Sequence, residues 1–261
     1  MGDFSHETYF ISHSLENAQI TSRKKLALEP AAQRRMNHRP NMSALTRLLF
    51  VFAMFAMSSA RGAESPWQSL FDGKTLAGWT AIDGKAPGAG WQVVDGTLHL
   101  NGKGGNIVSA AEYSSFELEW EWKIKAKGNN GVKYWVTQVG GKEWLGIEYQ
   151  MIDDGGHPDG KPGSNHATAS IYDIKAAGAN KPMRPIGEWN QSRVIIKDGK
   201  IQHFLNGSLV VEADTTTEEW KQLLAASKFR NKTGFAPGKG KIMLTDHSDP
   251  VWYRNIRIRS L

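Results

Sequence analysis

The chain has 261 residues, no cysteine and a formal net charge of +6. That charge is unevenly spread: after Ala60 there are 25 Lys and Arg against 22 Asp and Glu, with no dense basic patch, which argues against nucleic acid as a partner. Without cysteine neither disulfides nor a lipidated-cysteine anchor is available, so burial in a single core of about two hundred residues must supply the stability.

The chain divides early. Residues 1–41 are polar, lack a period of two or 3.6, and contain the basic run Arg34, Arg35, His38 and Arg39. Arg47, the apolar run Leu48 to Met57 and the small residues Ser58, Ser59 and Ala60 follow in the order of a secretory signal peptide. The apolar run is too short for a membrane span. Residues 42–60 are therefore expected to direct export to the periplasm or beyond, with cleavage after Ala60 and translation starting at Met36 or Met42. Residues 1–41 would then be a non-native or disordered extension, and residues 61–261 one domain.

From Trp67 onward, runs of period two separated by Gly, Asn and Asp follow one another. Trp91 to Leu100 reads as a hairpin through Asp95-Gly96. Phe116 to Ile124 is the cleanest strand, with Phe116, Leu118, Trp120, Trp122 and Ile124 on one face and Glu117, Glu119, Glu121 and Lys123 on the other. Further strands are expected over 131–139, 145–152, 169–174, 190–197, 201–205, 208–212, 241–245 and 251–258. Asp198-Gly199 and Asn206-Gly207 mark two more hairpins. Only 217–228 reads as a helix, with Thr217 as N-cap and Glu218 and Glu219 in its first turn. Many short antiparallel strands and one helix predict an all-β sandwich of two sheets in the jelly-roll manner.

Three features stand out chemically. All ten Trp lie after residue 60; most must be core, but Trp135 and Trp144, flanking Gly140-Gly141, are candidates for stacking on a sugar ring. The segment Leu145 to Ile152 sets Glu148, Gln150 and Ile152 on one face. The C-terminal run from Asp246 crowds His247, Asp249, Trp252, Arg254 and Asn255 around the start of a strand. The loop 153–166 is rich in Asp, His and Asn, so Asp153, His157 and His166 are candidate ligands for a divalent metal ion, although their spacing matches no dedicated metal motif and suits an ordinary surface loop equally.

The segments SLFDGKTLAGW (69–79), SSFELEWEWKI (114–124), GNNGVKYW (128–135), GIEYQMIDD (146–154), ASIYDI (169–174), GEWNQSRVII (187–196), IQHFLNGSLVVE (201–212) and DHSDPVWYRNIRI (246–258) occur together and in this order. With them the chain resembles the 3-keto-disaccharide (3-keto-glycoside) hydrolase domain family, long a domain of unknown function. The resemblance spans nearly all of residues 61–261 and departs from the family pattern at Thr245 and Ser248. It implies a concanavalin-like jelly-roll β-sandwich, export, and action on glycosides whose C3 hydroxyl is already a ketone, which calls for an oxidoreductase partner to make that ketone.

Ordinary retaining glucanases of this fold alternate Glu, Asp and Glu along one strand, because a nucleophile and an acid must stand about 5 Å apart. Gln150 replaces the middle carboxylate here, which disfavours that mechanism. A C3 ketone opens another: it acidifies the C2 hydrogen, so a base can form an enolate and the C1 substituent can leave, water adding afterwards. Glu148, His166 and His247 are the candidate base and acid, and Arg254 the candidate for orientation or oxyanion binding. Glu121, Asn130, Trp135, Trp144, Gln150, Tyr172 and His203 are candidates for lining the groove, His203 being read as structural or groove-lining and not catalytic. A metal ion at Asp153, His157 and His166 could polarise the ketone. The competing class is a carbohydrate-binding module, which needs aromatic rings and amides but no base beside a cation.

Overall fold

The computed structural model describes residues 65–141 and 143–261; the expected extension and signal peptide lie outside the described residues. The strands are β1 (Gln68–Ser69), β2 (Trp79–Ala81), β3 (Trp91–Val94), β4 (Thr97–Leu100), β5 (Ile107–Tyr113), β6 (Phe116–Ile124), β7 (Asn129–Val139), β8 (Glu143–Ile152), β9 (Asn190–Lys197), β10 (Lys200–Leu205), β11 (Ser208–Asp214), β12 (Gly240–Leu244) and β13 (Val251–Ser260). Between β11 and β12 lies the helix α1 (Glu218–Ala226). One sheet of eight strands runs β11-β10-β9-β6-β13-β4-β3, with β1 beside β13, and a second sheet of five runs β2-β5-β12-β7-β8. All pairings between these strands are antiparallel. The two sheets form the expected concanavalin-like jelly-roll sandwich, with β8 at the rim of the smaller one.

Three turns set the registers. Asp95-Gly96, Asp198-Gly199 and Asn206-Gly207 each place both residues at positive φ, as the two-residue turn that matches strand twist requires. Strand β6 has the bounds its alternation predicts, and Phe116, Leu118, Trp120, Trp122 and Ile124 all point inward and are buried. Burying each such side chain is worth about 1.5–3 kcal/mol, so this one strand anchors the sandwich. Facing it from the smaller sheet are Tyr134, Ile147, Tyr149 and Met151; the Trp120 and Tyr149 rings meet edge to face at 4.9 Å. Thr217 caps α1 as expected, its side chain accepting the Trp220 N–H.

Residues 169–174 depart from the expected strand. Only Ile171 forms bridges, to Tyr149 and Lys175, because Ala169 and Asp173 adopt φ of 66° and 60° and break the extended run on either side. The segment nonetheless extends the free edge of β8. The Ala169 N–H donates to the Gln150 carbonyl at 2.8 Å and the Tyr172 N–H to the Glu148 carbonyl at 3.0 Å. A short irregular strand thereby covers an edge that would otherwise be open to pairing with other chains.

Candidate active site

The parity of β8 decides where its polar residues go. Ile147, Tyr149 and Met151 fill the core, so Glu148 and Gln150 project from the opposite face of the five-stranded sheet. Across the ladder Lys133 is paired with Glu148 and Gly131 with Gln150. These residues, with His247 from the β12–β13 loop and Tyr172 from the strip beside β8, form the site.

Glu148 is its centre and is only 6% exposed. Its Oε2 lies 3.4 Å from Lys133 Nζ, and its Oε1 lies 3.9 Å from His247 Nε2, an ion-pair distance too long for a hydrogen bond. Burial by itself would raise its pKa, but the positive field of Lys133, then of His247 and Lys228, outweighs burial and holds the carboxyl below its ordinary range. Glu148 is therefore a carboxylate at neutral pH. A β-carbon at position 131 would lie 2.1 Å from Glu148 Oε1, so the glycine there is what lets the carboxylate lie across β7. That oxygen is buried with no hydrogen-bond partner in the protein, and so are Gln150 Oε1 and Asn129 Oδ1.

One wall is a closed circuit. The Tyr172 hydroxyl donates to Asp159 Oδ2 at 3.0 Å. Asp159 Oδ1 is 2.6 Å from His166 Nδ1, and His166 Nε2 is 2.9 Å from Asp173 Oδ1. Asp173 Oδ2 accepts the Lys228 N–H, and Lys228 Nζ lies 4.1 Å from the centre of the Tyr172 ring. A neutral imidazole has one N–H, so two flanking carboxylates require an imidazolium. Accordingly burial, which lowers the His166 pKa, is outweighed by hydrogen bonds to Asp173 and Asp159, which raise it. Burial and then Asp159 push the Tyr172 phenol upward, so it keeps its proton.

The structure gathers Glu148, Gln150, His247 and Tyr172 from the sequence-based candidates, with Trp144 on the same face of β8, packed against Val108, Val136 and Met243. His166 stands behind Tyr172 with both nitrogens engaged, so it acts on the wall and not as a free base. Several other expectations are corrected. Arg254 and Glu121 pair with each other at 2.6 Å on the outer face of the eight-stranded sheet, across the sandwich from Glu148, because Tyr253 takes the inward position beside Arg254. Trp135 is 3% exposed, its indole N–H donating to the Ser114 carbonyl. Asn130 faces inward and accepts from the Tyr253 hydroxyl at 2.8 Å. His203 is fully buried between Tyr134 and the Ala169 carbonyl. Burial holds its pKa down at about 4, and its role is structural.

The metal expectation is not met by its residues either. The Asp153 carboxylate accepts the N–H groups of Lys127, Gly155 and Gly156, and His157 Nδ1 accepts the Asp159 N–H. With His166 engaged as well, Asp153, His157 and His166 form no ligand set, and among the described residues no group of three or more His, Asp and Glu is placed to hold a metal ion. Sequence reasoning missed Lys133, Lys228 and the need for glycine at 131. Alternation places Asn129, Gly131 and Lys133 on one face, but only the β7–β8 register shows that the face is that of Glu148.

The fold is a concanavalin-like sandwich whose smaller sheet carries this buried carboxylate among cations. The chain belongs to the 3-keto-alpha-glucoside-1,2-lyase-like domain family, whose model matches residues 66–259. It is 34% identical to the 3-keto-disaccharide hydrolase of Bacteroides thetaiotaomicron over 74% of this chain and 78% of that protein. Two crystal structures from Parabacteroides distasonis, both provisionally named glycosyl hydrolases, are similar too. The first has 33% identity and a TM-score of 0.68, covering 75% of this chain and 94% of the other. The second has 28% identity and a TM-score of 0.57, covering 75% and 100%. Family membership makes the chain a glycoside-cleaving enzyme.

Proposed function

We propose that the protein is an exported enzyme that cleaves 3-keto-glycosides, with Glu148 as the base that removes the C2 hydrogen. The observation that carries this reading is the Glu148 carboxylate: buried, ionised at neutral pH by Lys133, His247 and Lys228, and left with an oxygen free of any protein donor. The β8 face continues with Gln150 and Ile152, so it lacks the second carboxylate that a retaining pair needs about 5 Å away.

The chemistry follows in balanced steps. Glu148 takes the hydrogen from C2, and the electron pair forms an enolate with the C3 oxygen, whose charge Lys133 and Lys228 offset. The enolate collapses, the bond from C1 to the glycosidic oxygen breaks, and His247, at the solvent edge of the site, protonates the departing oxygen. Water then adds across C1 and C2: His247 takes one proton from the water as its hydroxyl bonds to C1, and Glu148 returns the proton it holds to C2. The product is the free 3-keto sugar. The expected relationship to an oxidoreductase that supplies the ketone, and the expected export, belong to this proposal.

The test is to incubate the protein with a 3-keto-disaccharide and with its unoxidised parent, with and without EDTA, and to follow release of the 3-keto sugar. Cleavage of the oxidised substrate alone is expected. Cleavage of both at equal rates would overturn the role of the ketone. Binding of either without cleavage would return the reading to a carbohydrate-binding module, and loss with EDTA would reopen a metal requirement.

A further inference from the structure

We propose that Asn129 and Gln150 form a specificity pair that accepts hydrogen bonds from the two hydroxyl groups flanking the substrate ketone, at C2 and C4. The inference rests on the proposed 3-keto-glycoside reading and assigns the part of the site that selects the sugar. Three residues on this face of β7 and β8 carry a side-chain acceptor oxygen: Glu148, whose Oε1 would lie 2.1 Å from a β-carbon at Gly131, Gln150, the cross-strand partner of Gly131, and Asn129, two residues back on the same face. All three oxygens are buried, and none has a hydrogen-bond donor in the protein. A buried acceptor without a donor is costly to leave so, and most buried polar groups find a partner. Three of them at neighbouring positions on one sheet face therefore point to a place built for a ligand that brings donors.

The chemistry of the pair narrows the ligand. Glu148 is matched to a carbon acid, which leaves the two amide oxygens to accept from neutral donors. In a 3-keto sugar the donors nearest the reacting C2–H are the hydroxyls on C2 and C4, on either side of the ketone. Asn129 is fixed for this role from its backbone, whose N–H donates to Asp249 Oδ2 at 3.0 Å. Gln150 is fixed by the strip beside β8: its N–H donates to Ser170 and its carbonyl accepts from Ala169. Both amides therefore stand on backbone that is held from two sides.

A site built to hydrogen-bond a hydroxyl rejects an analogue lacking it by far more than an apolar pocket does, because its own polar groups then stay unpaired. The test compares a 3-keto-glucoside with its 4-deoxy and 2-deoxy analogues on the unmodified protein and on Asn129→Ala, Gln150→Ala and the near-isosteric Asn129→Asp and Gln150→Glu. On the unmodified protein at least one analogue is expected to lose about a hundredfold or more in kcat/KM. One alanine variant should shrink that ratio at least tenfold while its rate on the analogue falls little.

Equal loss on parent and analogue in both alanine variants would overturn the pairing and leave the amides a structural role. The near-isosteric variants keep the test valid where an alanine fails to fold: unaltered discrimination in both would likewise overturn it. Calcium or magnesium ions bound by the unmodified protein, and bound more tightly by Asn129→Asp, would overturn it in favour of a cation at the three oxygens. If the unmodified protein cleaves no 3-keto-glucoside, the underlying reading fails instead, a result separate from a change in discrimination.

Discussion

The proposed role of Glu148 as a base rests on what surrounds it. A carboxylate at this depth would ordinarily take up a proton, and only the cations beside it keep it charged. Glu148→Gln keeps the shape and removes the base, and is expected to lower turnover by a hundredfold or more. His247→Ala should do the same on a disaccharide but matter far less on a 4-nitrophenyl 3-keto-glucoside, whose leaving group needs little acid help. The two rates measured side by side check both roles. Gly131→Ala tests placement: its β-carbon would meet Glu148 Oε1 at 2.1 Å, so the carboxylate must turn away. Displacement of a reacting group by about an ångström can cost roughly a hundredfold, and that loss is expected with the melting temperature little changed. Glu148 was legible as a candidate in the sequence because a carboxylate on an alternating strand shows in one residue. The need for glycine at 131 was not, since it depends on which atom lies across the strand.

The pair of strands β7 and β8 turns this chemistry into an element-level property. Lys133 faces Glu148 across the ladder at 3.4 Å and is the largest influence holding the carboxyl down against burial. Lys133→Met leaves burial and removes that cation, so the Glu148 pKa must rise. Activity of the unmodified enzyme should fall only as pH drops through a value below the ordinary carboxylate range. In Lys133→Met the acid limb of the kcat/KM profile should move to higher pH, and a limb that stays in place would show that Glu148 is not the titrating base. Alternation along single strands was readable from sequence, which is why the bounds of β6 and the inward row of Trp120 and Trp122 agree with the structure. Pairing between strands was not. Arg254 and Glu121 were expected beside Glu148 because all three alternate with core residues, yet parity on one strand does not say which sheet the strand joins. Those two meet each other on the other face, in a ladder with Glu119–Arg257 and Glu117–Arg259. The pairs of Arg254 and Arg257, whose guanidinium groups face solvent, contribute little to stability.

The whole sandwich divides its work between its two outer faces: a surface of paired charges on the larger sheet and the buried carboxylate on the smaller. The layer between them must hold β8 in register, and His203 does part of this. It sits on β10 of the larger sheet, bonds the Tyr134 hydroxyl of β7 at 2.9 Å, and reaches the Ala169 carbonyl beside β8. Its role went unseen because a His on an alternating strand looks the same facing core or groove. The same residue makes stability depend on pH. Burial lowers its pKa from 6.5 to about 4 in the folded protein. Between those values the unfolded chain binds the proton and the folded one does not, so stability falls as pH drops. The loss from this group approaches about 1.4 kcal/mol per pH unit and about 3 kcal/mol by pH 4. His166 runs the other way: its folded pKa is raised, so its contribution is complete below the ordinary His range and is lost as pH rises through the folded value. Chemical denaturation from pH 7 to pH 4 should therefore show a decline that His203→Gln, which cannot take up a proton, flattens, even though that variant starts less stable at pH 7 through imperfect bonds to Tyr134 and Ala169. An equally steep decline in the variant would assign the acid sensitivity to other groups.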